Sequence, residues 1–175
     1  SYTRVHPNDH VNMGQSTNDV FPTATRLAVL DALPRLIEAG NALAASLEEK
    51  CESFASVLKT GRTHLQDAVP ITLGQEFGGF AANVRQALAD LERTSQQLHE
   101  LNLGATALGT GLNAGEEYTH RAVAHLIEAT GLPLRPAEDR FRVTQSMGDL
   151  LAVSGALRRL AVEVGKVASD LRLLS

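Results

Sequence analysis

The sequence predicts an all-α fold of long antiparallel helices, and three observations support this prediction. Apolar residues recur three or four positions apart over three long stretches, a spacing that puts them on one face of a helix. Segments rich in Gly, Pro and polar residues separate these stretches, and no segment shows the alternating pattern of a strand. With 175 residues, of which 43% are hydrophobic and 21% charged, the chain can bury one sizeable core.

The first long helix is expected after a polar, irregular segment at residues 1–18. Pro22 suits its first turn, where the N–H that proline lacks would have no helical partner. Pro34 is expected to kink this helix, and Gly40 is expected to weaken it. The apolar stripe comprises Leu27, Leu30, Leu33, Leu36, Ile37, Leu43, Leu47, Phe54 and Leu58.

The second long helix is expected after residues 60–71, where Gly61 and Pro70 interrupt the periodic pattern. Thr72 can cap this helix, and Gln75 then occupies the capping-box position. The stripe of the second helix comprises Phe77, Phe80, Val84, Leu88, Leu91, Leu98 and Leu101.

Beyond a glycine-rich loop at residues 102–115, a shorter helix is predicted at about 116–130, and Gly131 is a typical stop signal. Residues 132–145 form another connection. Helices of roughly 28 to 40 residues are about 40 to 60 Å long, more than the diameter of a compact domain of this size. We therefore expect an elongated bundle that oligomerises. The third long stripe comprises Met147, Leu150, Leu151, Leu157, Leu160, Val164, Val167, Leu171 and Leu174.

Composition argues against several classes of function. The formal net charge is −4 and no Lys/Arg cluster offers a footprint for phosphates, so we expect no nucleic-acid partner. No run reaches the roughly 18 apolar residues of a membrane helix, so no membrane partner is expected. Cys51 is the only cysteine and no charged-then-apolar leader opens the chain, which favours a cytoplasmic protein. The chain begins without Met and stops inside a helical pattern, so we expect a longer parent protein.

Three polar segments lie at the ends of the long helices and carry the candidate site residues: residues 6–19, 61–67 and 102–113. In the first, the run Ser16-Thr17-Asn18-Asp19 precedes a helix, where any of the four can serve as the N-cap. One cap needs one such residue. The remaining hydroxyl, amide and backbone donors could form a cradle for a carboxylate.

His64 is the candidate proton donor or acceptor of the second segment, because a histidine changes its protonation state near neutral pH. A structural hydrogen bond is the alternative role for this side chain. Its neighbours Arg62 and Asp67 could form an ion pair that stabilises the turn.

The other two polar features favour structural interpretations. His6 and His10 are four residues apart, a spacing that suits a metal on a helix, but Pro7 disfavours a helix there and no third ligand follows. We therefore expect no metal. The glycines of residues 104–111 lack the Lys-Ser/Thr ending of a phosphate loop, and a tight turn with close backbone packing is the favoured interpretation.

Taken in order, the motifs at residues 6–12, 15–19, 61–68, 73–76 and 109–113 resemble those of the aspartase/fumarase superfamily. The resemblance covers essentially the whole chain. Enzymes of this superfamily remove a small group from a four-carbon dicarboxylate and leave a double bond. The resemblance implies the elongated helical bundle of that fold, a small dicarboxylate as substrate and no cofactor.

Within the superfamily, three segments look more like aspartate ammonia-lyase than class II fumarate hydratase: Gln-Ser-Thr-Asn-Asp at 15–19, Asn-Leu-Gly-Ala-Thr-Ala at 102–107 and Asp-Leu-Arg-Leu-Leu at 170–174. Fumarases tend to have Ser in place of Thr17 and Gly-Gly-Thr-Ala at 104–107. The resemblance therefore favours conversion of L-aspartate to fumarate and ammonia. The interconversion of fumarate and L-malate is the alternative.

The family chemistry begins when a base removes a proton beside one carboxylate, which then carries extra negative charge as an aci-carboxylate. Preorganised donors must face the oxygens where this charge develops. The matching positions imply that Ser16 and Thr17 bind this carboxylate. They imply that Asn18, Thr63 and His64 hold the other carboxylate and the leaving group, with Thr63 and His64 as catalytic residues.

A peripheral anion site described for fumarases matches His6, Asn8 and Asp9, for which a structural turn is an equal alternative. The resemblance also assigns residues 1–18 to a substrate-binding loop segment and residues 19–175 to a central bundle domain that continues beyond the C-terminus.

The family's signature loop, Gly-Ser-Ser-x-Met-Pro-x-Lys-x-Asn, carries the proposed base and is absent from these residues. Family active sites combine residues from three subunits of a tetramer. We therefore expect a homotetrameric parent with shared active sites and a chain that is inactive alone. A non-catalytic helical assembly core is the alternative from another functional class.

Overall fold

The computed structural model describes residues 4–174, apart from the side chain of Glu116. The described residues are 68% helical, which confirms the predicted all-α class. No helix in this described part is long and apolar enough to cross a membrane. The elements in chain order are a π-helical turn (Pro7–Val11), α1 (Thr17–Ser53), β1 (Leu58–Thr63), β2 (Gln66–Thr72), α2 (Leu73–Ser95), a 3-10 turn (Gln96–His99), β3 (Glu100–Leu101), α3 (Glu116–Thr130), β4 (Arg135–Pro136), α4 (Arg140–Gln145) and α5 (Gly148–Leu174).

The chain divides into two compact units. Unit 1 consists of residues up to 32 together with 94–152, and unit 2 consists of residues 33–93 together with those from 153 onward. The long helices α1, α2 and α5 each have residues in both units. The division of the sequence at residue 18 stays a prediction.

In unit 2, α2 runs antiparallel to α1. Near one end, the ring of Phe77 meets Phe54 edge to face with centroids 5.5 Å apart. Farther along, the Arg85 guanidinium donates two hydrogen bonds of 2.9 Å to the Glu48 carboxylate and one of 2.7 Å to Asn41. The bonds from Arg85 lower the pKa of Glu48. The buried core of the unit includes Ala44, Leu47, Val84, Leu88 and Leu91.

A two-stranded hairpin joins α1 to α2, so the expectation of no strand was wrong. Strands β1 and β2 pair antiparallel from Leu58 opposite Thr72 to Thr63 opposite Gln66. Most residues of both strands are exposed, including the apolar Leu58 and Val69. Because neither face of the hairpin is buried, its sequence lacks the alternation by which strands are recognised.

Helix α1 begins at Thr17, so Pro22 lies in its second turn, and the prediction that Pro22 occupies the first turn was wrong. Pro22 has no N–H to give to the carbonyl of Asn18 one turn earlier. This carbonyl instead accepts a 3.0 Å hydrogen bond from the Asn102 side chain. The helix continues through Pro34 and Gly40 as a single element.

The ends of the first two predicted helices were also placed too late. Helix α1 ends at Ser53, before Phe54 and Leu58 of the predicted stripe. Helix α2 ends at Ser95, and Leu98 and Leu101 follow in the 3-10 turn and in β3. Both leucines are fully buried, so their spacing reflects burial and not a continued helix.

The capping residues predicted at the start of α2 and at the end of α3 are present in the structure. The Thr72 N–H donates to Gln75 Oε1 (3.0 Å) and the Gln75 N–H donates to Thr72 Oγ1 (3.1 Å), which confirms the capping box. Helix α3 spans Glu116–Thr130 and ends at Gly131, whose φ of 71° is left-handed, as predicted. The short helix α4, capped by Asp139, was not expected within residues 132–145.

Close helix packing makes a testable distinction between two glycines of α2. A Cβ on Gly74 would lie 2.4 Å from the Cys51 carbonyl oxygen and 2.8 Å from Ala55 Cα, whereas one on Gly79 would meet nothing within 4 Å. We expect Gly74→Ala to lower the free energy of unfolding by about 1–3 kcal/mol through overpacking. We expect Gly79→Ala to raise it by up to about 1 kcal/mol through helix propensity. Urea unfolding monitored by circular dichroism measures both, and equal effects of the two substitutions would contradict this packing.

Candidate functional site

The start of α1 is held by a capping box between Ser16 and Asp19. The Ser16 N–H donates to Asp19 Oδ1 (2.9 Å), and the Asn18 N–H donates to the Ser16 hydroxyl oxygen (3.2 Å). Capping therefore uses the side chains of Ser16 and Asp19. The side chains of Thr17 and Asn18, both exposed, lie outside the cap.

The Asp19 side chain also binds the loop at residues 102–107, which is 85 residues away in sequence. Its Oδ2 accepts hydrogen bonds from the N–H groups of Gly104 (3.1 Å) and Thr106 (2.9 Å). Asp19 is 0% exposed, so these bonds replace the water that a buried carboxylate loses. Three backbone N–H groups converge on one carboxylate and join the helix start to this loop.

The loop itself is a tight turn with close packing, as its glycines predicted. A Cβ on Gly104 would lie 2.1 Å from the Thr119 hydroxyl oxygen, so only glycine fits there. Thr106 has a φ of 58°, an uncommon conformation for a β-branched residue. The bond from its N–H to Asp19 helps to hold this conformation.

The Asn18 side chain is oriented by this loop. Its Nδ2 donates a 2.8 Å hydrogen bond to the carbonyl of Ala107, and a carbonyl oxygen can only accept. The amide nitrogen must therefore face Ala107, and Oδ1 is left on the other side as a hydrogen-bond acceptor. The Asn18 carbonyl and the Thr144 hydroxyl both accept from the buried Asn102 side chain.

Two cavities flank Ser16. One of about 390 Å³ is lined by seven residues at the start of α1, among them Ser16, Thr17 and Phe21. The other, also about 390 Å³, lies between Ser16 and residues of the 106–113 loop. Both volumes fall within the range of small-molecule sites. Hydroxyl groups of the helix start therefore border space that a small ligand could enter.

Below the helix start, α1 is anchored by a buried ion pair. Arg26 is fully buried and its Nε donates a 2.6 Å hydrogen bond to Asp149 Oδ2 at the start of α5. A buried guanidinium without a carboxylate would be strongly unfavourable, so this pair fixes the two helices relative to each other within unit 1.

Tyr118 of α3 lies beside the same helix start. Burial raises the pKa of its phenol, the hydrogen bond with Gln15 lowers it, and the negative charge of Asp19 raises it. The upward shift shows that a negative charge on Tyr118 would be unfavourable in this environment.

His64 lies at the tip of the hairpin in unit 2. His64 and Leu65 have φ values of 49° and 60° and form the two-residue turn between Thr63 and Gln66. Turns of this kind usually contain Asn or Gly, because other residues are strained at positive φ. Thr63 and His64 are both exposed.

The surroundings of His64 are charged but internally paired. A cavity of about 560 Å³ is lined by ten residues, among them His64, Arg62 and Asp67. Arg62 lies 3.6 Å from Asp67, which confirms the predicted ion pair of the turn. The other charged lining residues form the pairs Lys59–Glu76 and Lys166–Asp170.

His6, Asn8 and Asp9 form a hydrogen-bonded turn before α1. The N–H of Asp9 donates to His6 Nδ1 (3.3 Å), and the N–H of His6 donates to His10 Nδ1 (2.8 Å). The Asn8 side chain accepts from Asn12 at 3.5 Å. These contacts favour the structural interpretation, while the anion site stays a prediction. In the described part of the chain, no three His, Cys, Asp or Glu side chains are grouped to hold a metal ion.

The predicted site residues thus fall into separate sets. Ser16, Thr17 and Asn18 lie together at the start of α1 in unit 1, and Thr63 and His64 lie together at the hairpin tip in unit 2. Asp19, Asn102 and Ala107 lie in polar segments that the sequence marked as candidates, but their contacts with the first set were not predicted. Tyr118 was not a candidate at all. The spacing of Ser16 and Asp19 is a capping-box signal that could have identified Asp19.

The comparisons with known proteins agree with this architecture. A family model described as lyase matches residues 2–175. The chain is 51% identical to aspartate ammonia-lyase of Escherichia coli over 99% of its length, and 47% identical to class II fumarate hydratase of Neisseria meningitidis over 100%. A crystal structure of a fumarate lyase:delta crystallin from Brucella melitensis superposes with a TM-score of 0.96 and 48% identity over 100% of the chain.

These matches define the class of protein. The chain belongs to the aspartase/fumarase superfamily of lyases. It spans 36% and 38% of the length of the two curated relatives, and 38% of the superposed chain from Brucella melitensis.

The raised pKa of Tyr118 gives a pH-dependent prediction. In the unfolded chain the phenol ionises near its usual pKa of about 10, whereas in the folded chain it ionises at a higher pH. Ionisation of Tyr118 should therefore lower the free energy of unfolding as pH rises above about 10. The chain has two tyrosines, so a Tyr2→Phe variant reports Tyr118 alone. Its ultraviolet titration should show a higher midpoint in the folded chain than in denaturant. An equal or lower folded midpoint would exclude this environment.

Proposed function

We propose that the chain is the central segment of an ammonia-lyase that converts L-aspartate to fumarate and ammonia. A base removes a proton from the β-carbon, the carboxylate on that carbon takes up negative charge as an aci-carboxylate, and the amine then leaves with the C–N bonding electrons. The observation that carries the proposal is the cluster of the Ser16 and Thr17 hydroxyls with the oriented Asn18 amide at the start of α1, beside two cavities of suitable size.

In this proposal the hydroxyls of Ser16 and Thr17 face the carboxylate that becomes the aci-carboxylate. Both residues line the cavity at the start of α1, and the positive end of a 37-residue helix adds to their effect. Donors fixed before the reaction stabilise developing charge without reorganising. Removing one such donor usually lowers kcat by about 10²–10³-fold.

Asn18 supports the choice of an amine as the leaving group. Because its Nδ2 is bonded to Ala107, its Oδ1 remains an acceptor. An ammonium group has three donors and no acceptor, so an oriented acceptor suits it. Thr17 supports the same choice, because fumarases of the family tend to have Ser at this position.

Fumarate hydratase is retained as a second candidate. Sequence identity does not separate the two kinds of relative, because it is 51% and 46% to two aspartate ammonia-lyases and 47% and 49% to two fumarate hydratases. A hydroxyl leaving group can also donate a hydrogen bond to Asn18 Oδ1. Thr63 and His64 fit either reaction, as residues that hold the other carboxylate and the leaving group and transfer protons.

The assembled enzyme is proposed to be a cytoplasmic homotetramer in which several copies complete each active site. Support comes from the family resemblance, in which residues of three subunits combine in one active site. The base-bearing loop of the family lies outside these residues. The isolated chain is then expected to bind substrate weakly and to turn over none.

One assay separates the candidates. The full-length protein carrying this segment should form fumarate and ammonia from L-aspartate, and it should leave L-malate unchanged, as followed by the ultraviolet absorbance of fumarate. The reverse preference would establish the hydratase. Absence of both activities, with a monodisperse tetramer in sedimentation, would favour the assembly core. Turnover by the purified 175-residue chain, free of host enzyme, would overturn the expected dependence on further residues.

A further inference from the structure

We infer that Asp19 is a positioning residue, which acts through the 104–107 turn to orient the side-chain amide of Asn18. This inference rests on the proposed function only in the step from Asn18 to substrate. The geometry that supports it lies entirely within unit 1 and involves three consecutive links, of which the first and third are hydrogen-bonded and the second is the backbone of the turn.

The first link runs from α1 to the turn. Asp19 uses Oδ1 for the Ser16 N–H of its own helix and Oδ2 for the N–H groups of Gly104 and Thr106. An ionised carboxylate is acceptor-only, and here its two oxygens receive three donors. One side chain thereby fixes both the helix start and the turn that faces it.

The second link lies within the turn. Thr106 is held at a φ of 58°, and the next residue, Ala107, presents its carbonyl to Asn18. A β-branched residue does not favour this conformation by itself. Without the bond to Asp19, the backbone around Thr106 should relax to negative φ. The direction of the Ala107 carbonyl would change with it.

The third link is the bond from Asn18 Nδ2 to the Ala107 carbonyl at 2.8 Å. Asn18 is exposed, so protein packing alone does not fix its amide. If the Ala107 carbonyl moves, the Asn18 amide is free to rotate. Its Nδ2 can then face the substrate in place of Oδ1. Asp19 therefore controls whether the substrate meets an acceptor there.

The test compares Asp19→Ala with a matched control, Gln75→Ala. Both substitutions remove the side chain that accepts the N-cap N–H of a long helix, at 2.9 Å for Asp19 and 3.0 Å for Gln75. Only Asp19 also binds a distant turn. If Asp19 only caps its helix, the two variants should have the same effect on the Asn18 side chain and on the 104–107 turn.

The first readout is NMR of the chain itself. In Asp19→Ala, the side-chain NH₂ signals of Asn18 should move to the positions of a free amide, and the amides of Gly104 and Thr106 should exchange faster with solvent. Gln75→Ala should leave all of these signals unchanged. Unaltered Asn18 signals in a folded Asp19→Ala chain would overturn the inference.

If Asp19→Ala fails to fold, Asp19→Asn replaces it, because the isosteric amide keeps one acceptor oxygen. At least one of the three N–H groups then loses its acceptor, and its amide exchange should accelerate. Unchanged exchange at Ser16, Gly104 and Thr106 would again overturn the inference.

The second readout is a double-mutant cycle in the full-length enzyme. Asp19→Ala should lower kcat/KM by about tenfold or more, through displacement of Asn18. In an Asn18→Ala background, the same change should lower it by less than about twofold. Equal losses in both backgrounds would mean a structural role only. If the wild-type enzyme turns over neither substrate, the proposed function fails, and the NMR readout still decides the role of Asp19.

Discussion

The buried carboxylate of Asp19 is the interaction on which the candidate site in unit 1 depends. It accepts three backbone hydrogen bonds from two segments that are 85 residues apart in sequence. Hydrogen bonds to a charged group contribute roughly 1.5–3 kcal/mol each, which offsets the cost of taking the carboxylate out of water. Because the donors are backbone groups, the carboxylate constrains the chain conformation of both segments. The hydrogen bonds of Asp19 therefore hold the start of α1 and the 104–107 turn in a fixed relative position.

Residues that interrupt regular structure make this arrangement possible. Pro22 leaves the Asn18 carbonyl without a helical partner, and Asn102 binds that carbonyl. Gly104 allows the turn to lie against Thr119 where any side chain would collide. The result is a long helix whose first turn presents exposed polar side chains on a buried, rigid support. Such support suits a site that must hold donors still while charge develops on a substrate.

Local signals made much of the fold predictable. The end of α3 followed from Gly131, and the start of α2 followed from Thr72 and Gln75, because caps act over three or four residues. The hairpin was missed because both of its faces are exposed, so burial leaves no alternating pattern. The candidate substrate-binding residues were found by resemblance. Their support was not, because the bonds of Asp19 to Gly104 and Thr106 exist only once distant segments meet.

The start of α1 is proposed to form the carboxylate cradle of a dicarboxylate lyase. A crystal structure of the full-length protein with succinate, an unreactive four-carbon dicarboxylate, tests it most directly. We expect one succinate carboxylate within hydrogen-bond distance of the Ser16 and Thr17 hydroxyls, with the Asn18 amide still bonded to Ala107. Succinate bound elsewhere, with Ser16 and Thr17 facing only solvent, would contradict the account.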